Sequence, residues 1–93
     1  MHTQSYLLGF GYYVPERVLT NAHLEDMVET SDEWITTRTG IKERRMVVEG
    51  QSCSDLALQA ARRALDHAGM QAGQLTHILV ATFTPDYCEP TTA

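Results

Sequence analysis

The run from Thr30 to Ile41 constrains this chain most, because it specifies a helix at both ends. Thr30 is placed to cap the N-terminus, while Glu33, three residues on, reaches back to the cap's own N–H. Asp32 and Glu33 occupy the first turn and Arg38 the last, each with the charge that the helix dipole favours there. Gly40 follows at the position that turns left-handed and stops the helix. Trp34 and Arg38 are four residues apart and share a face, so an indole lies beside a guanidinium. Two readings of that pair stand. It is a core tryptophan with a surface arginine packed on it, or a platform for something flat and anionic.

Around this helix the chain alternates between strand-like and helical patterns. Tyr6 to Val14 is aromatic and aliphatic and reads as a strand ended by Pro15. Thr20 or Asn21 caps a second element, with Leu24, Met27 and Val28 at helical spacing for one buried face. Ile41 to Val48 is extended and of mixed polarity, an edge strand or a structured loop. Ser52 to Ala68 is the clearest helix. Leu58, Ala61, Leu65 and Ala68 form its apolar stripe, Asp55, Gln59, Arg62 and Asp66 its opposite face, and Gly69 closes it. Its alanines let a neighbouring layer approach closely. His77 to Thr84 is a continuous apolar run bounded by Pro85-Asp86, the pattern of a strand buried on both faces. Strands separated by helices indicate an α/β architecture. Pro90-Thr91-Thr92-Ala93 reads as a helix start, so the chain is expected to stop at the beginning of an element.

Composition excludes several function classes. With 43% hydrophobic and 20% charged residues, the chain has the make-up of a folded domain and not of a disordered segment. A net charge of −5 argues against a general nucleic-acid-binding surface, and no nucleic-acid partner is expected. Arg44-Arg45 and Arg62-Arg63 are short basic pairs, read as solvated. The start, Met1 to Ser5, lacks a basic region, and the apolar run after it is cut by Gly9, Gly11 and Pro15, so no signal peptide is expected. Nothing approaches the length of a membrane span. Two cysteines without a secretory signal read as free thiols in a reducing compartment, which makes a cytoplasmic location the expectation.

Other candidate chemistry is sparse. Cys53 lies at a helix N-terminus, where a thiol's pKa falls. A nucleophile also needs a positioned base, and no recognisable spacing of His, Asp or Glu supplies one. Cys53 and Cys88 both read as packing residues. Gly9-Phe10-Gly11 is part of a dinucleotide fingerprint without its third glycine, and reads as a turn. The histidines at 2, 23, 67 and 77 show no metal-ligand spacing, and no metal is expected.

The order and spacing of these motifs resemble the ketoacyl-acyl-carrier-protein synthase III family, the condensing enzymes that start fatty-acid synthesis. The likeness is carried by Gly9-Phe10-Gly11-Tyr12-Tyr13-Val14-Pro15, by Thr20-Asn21-Ala22-His23-Leu24-Glu25, and by Thr30 through Arg44. It continues in Val80-Ala81-Thr82-Phe83-Thr84-Pro85-Asp86 and Pro90-Thr91-Thr92-Ala93, so that it spans essentially all 93 residues. The resemblance implies an α/β, thiolase-like layered fold (αβαβα), of which residues 1–93 are an N-terminal part. It implies decarboxylative condensation of an acyl-CoA starter with malonyl-acyl carrier protein through a Cys-His-Asn triad. That triad's cysteine matches a position beyond Ala93, so no catalytic residue is expected here and the chain is expected to be truncated before the nucleophile. The implied partners are acyl-CoA, malonyl-acyl carrier protein, the remainder of the same enzyme and a second copy in a homodimer. Coenzyme A enters as part of the substrate, with no permanently bound cofactor and no membrane.

Thr30, Trp34, Arg38 and Thr39 match family residues that line the mouth of the substrate tunnel and contact coenzyme A. The tryptophan stacks on the adenine, and the arginine supports the nucleotide and its phosphates. A π-face suits a purine, and a rigid fork suits phosphate oxygens. Glu89 departs from the pattern. Family members often carry an apolar residue before the proline matching Pro90, where the partner subunit's loop closes the acyl pocket. A carboxylate is costly to bury unpaired, so either the loop is displaced or the pocket is more polar or longer. Condensing enzymes of quinolone, polyketide-starter and olefin synthesis share this N-terminal pattern and are the neighbouring reading. A non-catalytic acyl-CoA- or protein-binding module is the reading from another class.

Overall fold

Thr20 and Lys42 are far apart in sequence, yet the chain between them folds back so that the start of one helix continues a strand ladder. The computed structural model describes residues 3–87. It divides into two units: Val14 to Gly50, and the residues before Val14 together with those from Gln51 onward. His2, Cys88, Glu89 and the expected helix start at Pro90-Thr91-Thr92-Ala93 lie outside the described residues.

The unit from Val14 to Gly50 contains β1 (Arg17–Thr20), α1 (Asn21–Met27), α2 (Asp32–Thr39) and β2 (Glu43–Met46). The strands pair antiparallel, Arg17 opposite Met46 and Thr20 opposite Glu43. The ladder runs one step into α1, where the Asn21 N–H donates to the Lys42 carbonyl at 3.2 Å. Thus the edge strand expected within Ile41 to Val48 forms, against a four-residue partner that the sequence did not mark. Thr20 caps α1. Its hydroxyl accepts from the His23 N–H at 3.3 Å, and His23 Nδ1 accepts from the Thr20 N–H at 3.1 Å, a capping box closed by an imidazole. Of the expected apolar stripe on α1, only Leu24 is half-buried, while Met27 and Val28 are exposed. Seven residues make barely two turns, and the inward position is taken by Asn21 instead.

α2 ends as its sequence specifies and begins one residue later than Thr30 implies. Gly40 is left-handed, with φ 72°, and its N–H donates to the Thr36 carbonyl at 2.8 Å. The N-cap is Ser31, whose hydroxyl accepts from the Trp34 N–H at 3.1 Å. Glu33 then stands at the second helical position and not the third, so the expected Thr30–Glu33 box does not form. Glu25 of α1 meets the exposed end instead, accepting from the Asp32 N–H at 2.7 Å. Ile35 and Pro15 are buried apolar residues of this unit. Nor are Arg44 and Arg45 simply solvated. Arg45 donates to the Pro15 carbonyl at 2.9 Å, and Arg44 to Asn21 Oδ1 at 2.9 Å.

The other unit is organised on α3 (Cys53–Ala68), capped by Ser52 and closed by left-handed Gly69. Asp55 Oδ2 accepts from both the Ser52 N–H and its hydroxyl, each at 2.9 Å. A 3-10 turn follows at Ala72–Gln74. The glycines of the N-terminal segment lie against α3. A Cβ on Gly9 would stand 2.8 Å from the Ala64 carbonyl oxygen, and one on Gly11 would overlap Ala60 O and Ala64 N. This is the close approach that the helix's alanines allow. The Phe10 N–H donates to His67 Nδ1 at 2.9 Å, and Arg63 donates to the Tyr12 carbonyl at 2.9 Å with its guanidinium 5.3 Å from the Tyr13 ring. Two expected strands are corrected here. Among the described residues, neither Tyr6 to Val14 nor His77 to Thr84 joins a sheet, and the latter run is not buried on both faces: Leu79 is 98% exposed. Two-sided burial comes from neighbours on both faces, and here Ile78 to Ala81 only line an open groove together with Leu58 and Ala61 of α3.

Four outcomes follow for stability. Gly11→Ala should cost about 1–3 kcal/mol in denaturant titrations, from overpacking against α3. Gly73→Ala, with no atom within 4 Å of its Cβ, should change stability by less than about 0.5 kcal/mol. Ser31→Ala should cost about 1 kcal/mol and Thr30→Ala little, and the reverse order would restore the Thr30 cap. Asp55 is held below its ordinary carboxyl value, first by the Ser52 backbone N–H and then by the Ser52 hydroxyl. A folded pKa below the unfolded one means that its contribution is complete above the unfolded value and is lost as pH falls through the folded one. Asp55→Asn should therefore lower the melting temperature at neutral pH and match the parent in strong acid. A difference independent of pH would contradict that assignment.

Candidate functional site

α2 brings Trp34 and Arg38 together on one face. The guanidinium carbon of Arg38 lies 5.3 Å from the indole centroid, and Trp34 is 56% exposed, so the core position on this helix belongs to Ile35 and not to the tryptophan. Trp34 forms a ridge between two shallow depressions. One, of about 270 Å³, is lined by Glu29, Thr30, Ser31 and Trp34, and the other, of about 380 Å³, by Ser31, Glu33, Trp34, Thr37 and Arg38. Thr30 thus shares the first depression with Trp34, and Arg38 shares the second. Thr39 does not line either depression. Its hydroxyl donates to the Ile35 carbonyl at 2.7 Å and accepts from the Ile41 N–H at 3.0 Å, which commits it to the helix's end. Thr37 takes the place beside Arg38. Its signal in the sequence was the three-residue spacing from Trp34, which puts the two on one face.

Charge is arranged along the helix. A helix N-terminus is ordinarily a site for anions. Here Glu25 already holds the Asp32 N–H, Ser31 holds that of Trp34, and Asp32, Glu33 and Glu29 add carboxylates around the same end. Arg38 is at the opposite end. An anionic ligand on this face is thus directed away from the first turn and toward Arg38.

Beneath α2 lies a residue that the motif reading treated only as a cap candidate. Asn21 is 1% exposed. Its Nδ2 donates to Asp32 Oδ1 at 2.7 Å, to the Ile41 carbonyl at 2.8 Å and, more weakly, to Thr36 Oγ1 at 3.4 Å. Its Oδ1 accepts from Arg44 Nη1 at 2.9 Å, and Thr36 Oγ1 donates to Asp32 Oδ1 at 3.2 Å. All of these partners lie 11 to 23 residues along the chain, so no local spacing announces them.

The remaining candidates are placed plainly. Cys53 is half-buried, and its thiol donates to Thr82 Oγ1 at 3.3 Å. Among the described residues no three His, Cys, Asp or Glu side chains gather to hold a metal ion, and no helix is long and apolar enough to cross a membrane.

No family model matches the chain. Among curated proteins it is 59% identical, over all 93 residues, to beta-ketoacyl-[acyl-carrier-protein] synthase III of Oleidesulfovibrio alaskensis, of which it covers 28%. Among solved structures it matches 3-oxoacyl-[acyl-carrier-protein] synthase III from Aquifex aeolicus VF5 with a TM-score of 0.87 and 51% identity, covering 92% of this chain and 28% of that one. It also matches the priming beta-ketosynthase of the R1128 polyketide pathway, with a TM-score of 0.67 and 38% identity over 70% of this chain and 20% of that one. The chain thus spans about 28% of the length of the curated relatives it matches. Its architecture is part of the α/β, thiolase-like condensing-enzyme fold. With that identity sustained from Met1 to Ala93, the chain belongs, as an N-terminal portion, to the beta-ketoacyl-[acyl-carrier-protein] synthase III family.

Proposed function

We propose that the protein to which this chain contributes is a condensing acyltransferase of fatty-acid biosynthesis. It joins an acyl-CoA starter to malonyl-acyl carrier protein with loss of carbon dioxide. In that reaction the acyl group passes from coenzyme A to a cysteine, and a malonyl-derived carbanion then attacks the enzyme-bound thioester. The nucleophile and its histidine and asparagine belong to sequence beyond these 93 residues. The part assigned to this chain is recognition of the coenzyme A nucleotide. The enzyme's other features, a homodimer in the cytoplasm with no permanently bound cofactor, belong to the same reading.

One observation carries the chain's part: a solvent-facing indole with a guanidinium 5.3 Å from its centroid. An exposed aromatic face of this kind takes a purine by stacking, and the planar guanidinium takes phosphate oxygens through paired N–H groups. The acidic first turn of α2 supports one polarity for the ligand, with the phosphates toward Arg38. Thr30 and Thr37 flank the indole with hydroxyls. Thr39 shapes the end of the helix and does not itself face the ligand. A starter-priming synthase of polyketide assembly is the second reading, favoured by the match to the R1128 enzyme, and the two differ in which acyl-CoA is preferred.

In the intact enzyme, Trp34→Ala and Arg38→Ala should each raise the KM for acyl-CoA about tenfold and leave kcat nearly unchanged. These residues touch the carrier nucleotide and not the reacting carbon, so ground and transition states lose the same contact. Arg38→Lys should recover only part of the loss, because the planar fork is gone. Unchanged KM in both alanine variants would remove the nucleotide-binding assignment.

A further inference from the structure

We propose that Asn21 is a positioning residue for acyl-CoA recognition. On this proposal its buried carboxamide fixes the rotation of α2 about its own axis and so aims the Trp34–Arg38 platform. The inference rests on the nucleotide-binding reading of that platform. The geometry is specific. Asn21 engages α2 at Asp32 and Thr36, one turn apart, and again at the Ile41 carbonyl just past the cap. Trp34 and Arg38 are each two residues further on, about 200° around the helix from Asp32 and Thr36. The anchored face and the binding face are therefore nearly opposite, and any roll of the helix moves one as it moves the other.

The anchor resists rolling for a chemical reason. Nδ2 is donor only and faces acceptors on α2, whereas Oδ1 is acceptor only and faces the Arg44 guanidinium on β2. A flipped amide would set its oxygen against Asp32 Oδ1 and the Ile41 carbonyl, so one orientation is selected. The residue is fully enclosed, so leaving its own N–H groups or its carbonyl oxygen unpaired is costly. An apolar residue in the same place would fill the space and leave the rotation of α2 free.

The test is steady-state kinetics of the intact enzyme. Asn21→Asp keeps the shape and the contact to Arg44 but points a second acceptor at Asp32. It should raise the KM for acyl-CoA about tenfold with kcat within about twofold. Adding Asp32→Asn restores a donor–acceptor pair and should recover part of that loss. Gly11→Ala, destabilising in the other unit, serves as the comparison for lost stability alone and should leave KM within about twofold. Trp34→Ala, run in parallel, separates the two claims. If it raises KM while Asn21→Asp does not, the positioning role is overturned and nucleotide binding survives. If Trp34→Ala has no effect, the binding reading fails and takes this inference with it. If Gly11→Ala raises KM as much as Asn21→Asp, lost stability explains the effect and the positioning role is overturned. Should Asn21→Asp not fold, Thr36→Val, which removes one hydroxyl of the anchor, decides the matter: about a threefold rise in KM supports the role and no rise overturns it.

Discussion

A single buried carboxamide ties together three elements of the unit from Val14 to Gly50. Asn21 begins α1, holds both ends of α2 and receives Arg44 from β2. This unit has little apolar interior to define it, with Ile35 and Pro15 as buried apolar residues. Hydrophobic contact is non-directional and tolerates sliding and rolling. Hydrogen bonds with fixed donor and acceptor sides do not. In a unit of this size, direction comes from the polar centre, and the neighbouring tethers (Glu25 on the Asp32 N–H, Arg45 on the Pro15 carbonyl) act in the same sense. A buried carboxamide with its donors and acceptor all paired specifies one arrangement and has few tolerated replacements.

What was legible in the sequence was what is local. α2 stops at Gly40 and α3 lies between Ser52 and Gly69 because caps, dipole-matched charges and a 3.6-residue period act within one or two turns. The Trp34–Arg38 pair was legible for the same reason, since four residues along a helix set two side chains side by side. Even so, the local rules slipped by one position at Thr30, where two adjacent hydroxyl residues competed for one cap. Asn21 is more instructive, since the sequence left the cap open between Thr20 and Asn21. An asparagine at a helix start suggests a cap, and only the fold reveals that Thr20 fills that role and frees the carboxamide for partners far along the chain.

Strands fared worse than helices because a strand is completed by its neighbour. β1 has four residues, too few for alternation to register, and exists because β2 pairs with it. Conversely, Tyr6 to Val14 and His77 to Thr84 carry strong strand composition but have no ladder among the described residues. The first lies against α3 through glycines that admit the helix backbone, and the second lines an open groove with Leu58 and Ala61. Thr39 shows the same limit at the scale of one side chain. Its hydroxyl bonds to the backbone on both sides of Gly40, which residue type and position alone do not announce.

The central claim is that Asn21 holds α2 in one orientation, and amide hydrogen exchange followed by mass spectrometry tests it most directly. Peptides from the intact enzyme carrying Asn21→Asp would be compared with those of the parent. The account predicts faster exchange in residues 32–41, where the carboxamide's partners lie, and unchanged protection in α3, which belongs to the other unit. Unchanged protection across residues 32–41, or a uniform loss that includes α3, would contradict it.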